Sequence, residues 1–216
     1  MKIKVLTVSD NIPATKQLVY TLEHNGWDYQ VLETPFRGFG TKLITTYNFL
    51  KSNPDVTEFI FVDAFDVVAL GTPQEFETKK QEYFGDAEII VGTEKGCWPI
   101  EDYRRFYEPQ HEHGFNFVNS GLYYAKSASF IRLMEASEVL YSTDDQQFFT
   151  EAYLFDEQSG IKLDTDQVLF NNHSFIAEGE YGYENGRIQI LGNEPCFIHS
   201  NGRTADPKLD ELINKI

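Results

Sequence analysis

An α/β fold with a mostly parallel sheet and helices on both faces is predicted by three features of the sequence. Short apolar strands alternate with helical stretches over the first half of the chain. No Pro/Gly/Ser linker interrupts that alternation, so residues 1–216 read as a single domain. The apolar runs also stop at polar residues, where ligands sit in such sheets, at the carboxyl ends of the strands.

Residues 2–8 (KIKVLTV) form the first short, buried strand. Pro13 suits the first turn of a helix over 13–25, with Gly26 as its stop. Residues 29–32 are the second strand, and 34–40 (TPFRGFG) form a glycine-punctuated loop. A helix over 41–51 ends at Ser52-Asn53-Pro54. The run 58–62 (EFIFV) is strongly apolar and stops at Asp63. Residues 73–83 read as helix, 87–91 as a strand, and 115–125 as a strand with Asn119-Ser120-Gly121 in its middle. A serine cap starts a helix over 127–140, and a further helix covers 144–153. Late strands are expected at 187–191 and 195–199.

Bulk properties narrow the function. The chain has 216 residues and a formal net charge of −16. A surface that acidic repels phosphate backbones and anionic lipid heads, so nucleic acid and membrane surfaces are not expected partners. It would attract a cationic acceptor, although solubility alone also explains it. Cys97 and Cys196 are too few for a disulfide framework or a structural zinc site. Both are expected reduced, with a single bridge as the alternative. The first residues carry no signal-peptide pattern, and no run is long enough to span a bilayer. The expected compartment is the cytoplasm for a microbial or viral protein, or the endoplasmic reticulum lumen for a piece of a secretory enzyme.

Five segments carry chemistry, each with a plainer alternative. Asp63 and Asp66 follow a buried strand and can converge on one hard cation, Mg²⁺ or Mn²⁺, that neutralises a diphosphate leaving group; they can equally be turn acids. His199 ends a late strand ahead of Asn201, Gly202 and Arg203. Imidazole suits Mn²⁺ better than Mg²⁺, and Arg203 can grip a phosphate in bidentate fashion. Otherwise His199 is a strand-end histidine bonded to backbone. Glu94 and Trp98 bracket a glycine turn, and an indole face is a platform for sugar C–H groups or simply core. Asn119-Ser120-Gly121 places polar groups inside an apolar strand, which points to a ligand hydroxyl or a β-bulge. Asp144 and Asp145 cap the next helix, or hold sugar hydroxyls or a cationic acceptor.

Together these segments resemble the glycosyltransferase domain at the amino end of the multifunctional procollagen lysyl hydroxylases and, more distantly, the procollagen galactosyltransferases. The matching pieces are FVDAFDVV (61–68), EKGCWP (94–99), FVNSGLYYA (117–125), DDQQFFT (144–150), LDTDQVLFNN (163–172) and HSNG (199–202), in that family's order. The resemblance implies a GT-A, Rossmann-like fold, a UDP-sugar donor and Mn²⁺, with Mg²⁺ as the substitute. It implies that Asp63, Asp66 and His199 hold the metal, with Phe65 against the uracil. It also implies that Thr7 and Val8 contact the nucleoside, that Lys42 lies near the nucleotide, and that Asn201 and Gly202 approach the diphosphate. Trp98, Asp144 and Asp145 would line the sugar and acceptor side, with Glu94 as a further candidate for acceptor binding or proton transfer.

The sequence departs from the family at four points. Phe65 replaces a tyrosine and Ser200 a glycine. Arg203 stands where proline is usual, with the following lysine missing, so the phosphate contact is expected to run through Arg203. The acidic run is shortened to Asp144-Asp145, which affects acceptor preference.

The expected reaction is retaining transfer of glucose from UDP-glucose to a hydroxyl of a glycan or of galactosyl-hydroxylysine in a collagen-like protein, without iron or 2-oxoglutarate chemistry. UDP-galactose is the alternative donor. A sugar- or collagen-binding module with this fold is the non-enzymatic alternative; the intact Asp63/Asp66/His199 set argues against it. A phosphatase or nucleotidyltransferase is disfavoured because Asp10 has no second aspartate two residues on.

Overall fold

A computed structural model describes residues 3–107, 110–177, 179–184 and 187–201. Its main sheet has six strands in the order β2-β1-β3-β6-β5-β7, formed by β1 (Lys4–Ser9), β2 (Asp28–Glu33), β3 (Glu58–Val62), β5 (Ile89–Glu94), β6 (Phe117–Lys126) and β7 (Ile161–Asp164). All are parallel to one another except β6, which runs antiparallel between β3 and β5. A three-stranded sheet of β4 (Val67–Ala69), β11 (Phe197–His199) and β8 (Phe170–Asn172) packs beside it, and β9 (Tyr181–Glu184) pairs with β10 (Arg187–Ile190).

The apolar runs fill two cores because successive side chains of a strand point to opposite faces. Along β3, Ile60 and Val62 join one core and Phe59 and Phe61 the other. The first core takes Leu18 and Leu22 of α1 (Lys16–His24), Phe76 of α3 (Pro73–Phe84), and Val67, Phe170 and Phe197 of the small sheet. The second takes Leu43 and Leu50 of α2 (Gly40–Ser52), Phe130 and Leu133 of α4 (Ser127–Ala136), and Phe148 and Phe149 of α5 (Asp145–Phe155). Strands buried on both faces have no polar side to show, which is why β3 and β5 read as unbroken apolar runs.

Several expected boundaries move. A short 3-10 turn (Ile12–Thr15) precedes α1, replacing the first turn of the expected helix. The strand expected from 115 begins at Phe117, and the strand expected from 195 is only β11. The helix expected to reach residue 140 stops at Ala136, where Ser137 turns extended. The reason is a tertiary contact. The segment 140–141 lies directly on the backbone of Gly38 and Gly40, with Gly40 N–H donating to the Tyr141 carbonyl at 3.2 Å. A continued helix would carry it away. Strands β4, β7, β8 and β9 were not expected; each is four residues or shorter, too brief to show a period.

The fully buried carboxylate of Asp164 organises the return from β7 to β8. It accepts three backbone N–H bonds, from Val168 (2.9 Å), Leu169 (2.8 Å) and Phe170 (2.8 Å). Asp164→Asn keeps the shape but offers one acceptor oxygen where two are used. It is expected to cost about 2–4 kcal/mol in denaturant unfolding at neutral pH.

Candidate active site

The carboxyl ends of β3 and β5 open into a two-chambered cleft. One chamber, of about 220 Å³, is lined by Val8, Phe36, Phe39, Lys42, Asp63, Phe65 and Asp66. The other, of about 420 Å³, is lined by Glu94, Trp98, Ser120, Asp144, Asp145, Phe175 and His199, among others. Phe39, Lys42, Asp63 and Asp66 belong to both.

Asp63 and Asp66 stand on that shared wall and His199 faces them from the second chamber, with one ligand atom from each lying within 4.8 Å of the others. His199 Nε2 is 3.3 Å from Asp66 Oδ1 and 3.7 Å from Asp63 Oδ2. Donors around a small dication bound at roughly 2.1 Å stand roughly 3 Å apart, so modest closure fits one. The other side of the imidazole supports this. Asn172 Nδ2 donates to the Thr93 carbonyl at 3.2 Å, which turns Asn172 Oδ1 toward His199 Nδ1 at 2.8 Å. With Asn172 Oδ1 as acceptor, a neutral His199 carries its proton on Nδ1 and turns the Nε2 lone pair toward Asp63 and Asp66; burial lowers the imidazole's pKa, but Asp66 and Asp63 outweigh it and raise it. Asn172 and His199 are register partners across β8 and β11, so strand pairing itself supplies this arrangement.

Gly121 makes room for the ring. A Cβ there would stand 2.3 Å from His199 Cε1 and 3.0 Å from Asp63 Oδ2. The Asn-Ser-Gly segment also falls where the β5–β6 register shifts, so strand pairing is interrupted there, and its polar groups find protein partners. Asn119 donates to Glu94 Oε1 at 3.0 Å and Ser120 to Asp145 Oδ2 at 2.8 Å.

Lys42 ties the acids together. Its Nζ lies 2.8 Å from both Asp63 Oδ1 and Asp145 Oδ2. Burial opposes its charge, but the two carboxylates outweigh burial and hold the ammonium protonated beyond the usual lysine range. Burial likewise pushes Asp63 upward, and Lys42 with His199 brings it below its ordinary value. Asp145 stays above its ordinary value because burial outweighs its bond to Lys42.

The remaining expected residues divide. Glu94 is buried and raised by that burial; it accepts from Asn119, Gln146 (2.8 Å) and Asn201 (2.8 Å), so both carboxylate oxygens are already engaged. Asp144 caps α5 through the Gln147 N–H at 2.9 Å and lines the second chamber. Phe65 is 52 % exposed beside Phe36 (58 %) and Phe39 (55 %), three open rings on the first chamber. Trp98 is 53 % exposed on the second, not core. Val8 lines the first chamber, whereas the side chain of Thr7 is buried outside both. Asn201 lines the second chamber, its carbonyl oxygen taken by the Ser174 N–H at 2.9 Å. Gly202 and Arg203 lie outside the described residues. Phe36, Phe39, Asn172 and Phe175 were not expected at the site from the sequence; the TPFRGFG and FNN segments contain the first three, and nothing pointed to Phe175. Cys97 and Cys196 are both free and buried. Asn172 is fully buried, so the Asn172-His173-Ser174 sequon is closed to glycosylation in this fold.

A family model described as the PLOD GT domain matches residues 3–216. The chain belongs to that family. PLOD GT relatives include a Caenorhabditis elegans multifunctional procollagen lysine hydroxylase and glycosyltransferase, 25 % identical over 82 % of this chain and 25 % of that protein. A Drosophila melanogaster procollagen-lysine,2-oxoglutarate 5-dioxygenase is 27 % identical over 82 % of this chain and 25 % of its own length. The chain thus spans about a quarter of the length of these curated relatives. Among solved structures, a glycosyltransferase involved in glycosylating the major capsid of PBCV-1 superposes with a TM-score of 0.60 at 12 % identity, covering 100 % of both chains. An active-site mutant of LgtC gives 0.55 at 12 % identity, covering 99 % of this chain and 96 % of LgtC. The PLOD GT domain described here therefore has the GT-A fold, and among the described residues no helix is long and apolar enough to cross a membrane.

Removing the group that orients the imidazole should weaken the cation site. Asn172→Leu is expected to lower Mn²⁺ affinity about 10–100-fold in calorimetric titration without added nucleotide. Gly121→Ala, which drives a methyl into His199, should weaken it at least as much.

Proposed function

We propose that this chain is a cation-dependent hexosyltransferase that moves glucose from UDP-glucose to a hydroxyl acceptor, with Mn²⁺ preferred over Mg²⁺. The acceptor is a glycan, in the first instance galactosyl-hydroxylysine of a collagen-like protein. The observation that carries this reading is the position of Asp63 and Asp66 on the wall common to an aromatic chamber and a polar one, with His199 gathered to them from the polar side. A base in the first chamber and a sugar in the second place the intervening diphosphate beside those three residues.

Asp63, Asp66 and His199 would hold Mn²⁺, which would supply charge to stabilise the departing UDP. The chain's own residues do the rest. Phe65, with Phe36 and Phe39, offers ring faces to the uracil, and Val8 closes the nucleoside side. Lys42 keeps Asp63 ionised and fixed, leaving Oδ2 free of that ion pair and turned toward His199. It also fixes Asp145, so donor and acceptor sides share one half-buried cation. Asp144, Asp145 and Trp98 receive the sugar and acceptor hydroxyls, and Glu94 holds the amides of Asn119, Gln146 and Asn201 around them. Gly202 is assigned to the diphosphate by family resemblance, and Arg203, a departure from the family, by the bidentate phosphate chemistry of its guanidinium.

The deciding assay is UDP release from a panel of UDP-sugars, with Mn²⁺ or with EDTA. UDP-glucose should be turned over with Mn²⁺, and Asp66→Ala should lower the rate by at least ~10²-fold. Release from UDP-galactose alone would reassign the donor. No release from any sugar, with or without a galactosylated collagen peptide, would sink the transferase reading in favour of a binding module.

A further inference from the structure

Phe175 is held in a conformation that its residue type resists. Its φ is +62°, in the left-handed region where a bulky side chain is a genuine outlier costing on the order of 1–3 kcal/mol. Glycine or asparagine is the usual occupant of such a turn position. The phenyl ring gains little from packing in return, being 60 % exposed. Nor is the segment loose: His173 N–H donates to the His199 carbonyl (2.8 Å), Ser174 N–H to Asn201 Oδ1 (2.9 Å) and Ile176 N–H to the His173 carbonyl (3.3 Å). Phe175 is therefore pinned from the same strand end that supplies the cation-site histidine. Of the three non-glycine residues with positive φ among the described residues, Phe175 alone lines the cleft.

Trp98 lies next to it. A Cβ on Gly96 would stand 2.3 Å from the Trp98 indole nitrogen and 3.4 Å from Phe175 Cε2, so the two rings flank one glycine. Both line only the second chamber, whereas the ring faces suited to a nucleobase line the first. On the proposed donor placement, the sugar next to the diphosphate lies against Asp144 and Asp145, and the two rings stand where an acceptor must enter. Ionic and hydroxyl chemistry is already provided there by acids and amides. Two open aromatic faces add a surface for the apolar C–H face of a pyranose.

We propose that Phe175 is a specificity-determining residue, forming with Trp98 an aromatic platform for a hexopyranose ring of the acceptor, so that the enzyme takes a hydroxyl on an existing sugar rather than a bare peptide hydroxyl. This rests on the transferase reading for its catalytic meaning, but glycoside binding at the platform can be measured without turnover.

The test pairs both measurements on the full chain with Phe175→Ala, Phe175→Trp and Phe175→Gly. Binding of methyl β-galactoside and methyl α-glucoside is followed by saturation-transfer NMR and Trp98 fluorescence. Where turnover occurs, acceptor and donor KM are measured separately. Phe175→Ala should raise the acceptor KM or glycoside Kd about 10-fold, well beyond any change in donor KM, and Phe175→Trp should restore it. Phe175→Gly should bind as poorly as Phe175→Ala yet melt at or above the wild-type temperature, because the strain is relieved. Equal glycoside binding by wild type and Phe175→Ala, or a donor KM that rises as much as the acceptor KM, overturns the proposal. Platform-dependent glycoside binding without UDP release from any sugar would leave the proposal standing while the transferase reading falls.

Discussion

The half-buried ammonium of Lys42 makes the interaction on which the cleft depends. Asp63 and Asp145 come from different elements, β3's end and α5's start; the Asp145 carboxylate is buried and that of Asp63 half-buried. Two such charges repel and lose hydration; each would cost several kcal/mol without a partner. A single cation from α2, 2.8 Å from each, bridges the two carboxylates and fixes the distance between them. Asp66 has no share in that ion pair and faces His199 Nε2 at 3.3 Å instead.

The reversal of β6 makes this geometry possible. An antiparallel strand between β3 and β5 brings the middle of its own sequence to the edge where the parallel strands end. Asn119, Ser120 and Gly121 thereby reach Glu94, Asp145 and the His199 ring from one short segment. Each position is explained by a different constraint: an amide to hold Glu94, a hydroxyl to hold Asp145, and no side chain at all where the imidazole passes. The small sheet then aligns His199 with Asn172, and the turn after Asn172 carries Phe175 to the cleft.

Much of the fold was legible because the two-core sheet imposes simple patterns. Runs such as EFIFV must be apolar on both faces, and the acids that follow them stand at the strand ends, where ligands bind. The order of the six motifs added the family resemblance. What could not be read was whatever depends on contacts distant in sequence. The early stop of α4 comes from Gly38 and Gly40, about a hundred residues away in the chain. Asn172 looks like one polar residue in a short strand until register places it against His199. Asp164 looks like a surface acid until three backbone N–H groups are found around it. Phe175 looks like an ordinary core aromatic, since neither its backbone angle nor its exposure is written in its neighbours.

The sequence by itself determined the fold class, the family and the residue types able to hold a cation and a nucleotide, because these follow from local periodicity and from motifs whose residues are close together in the chain. Only the tertiary structure decided which atoms face which. The protonated nitrogen of His199, the shared role of Lys42, the engaged state of Glu94 and the strained presentation of Phe175 all arise from pairing and packing between segments far apart in sequence. Such contacts are fixed by strand register and burial, and neither quantity is local.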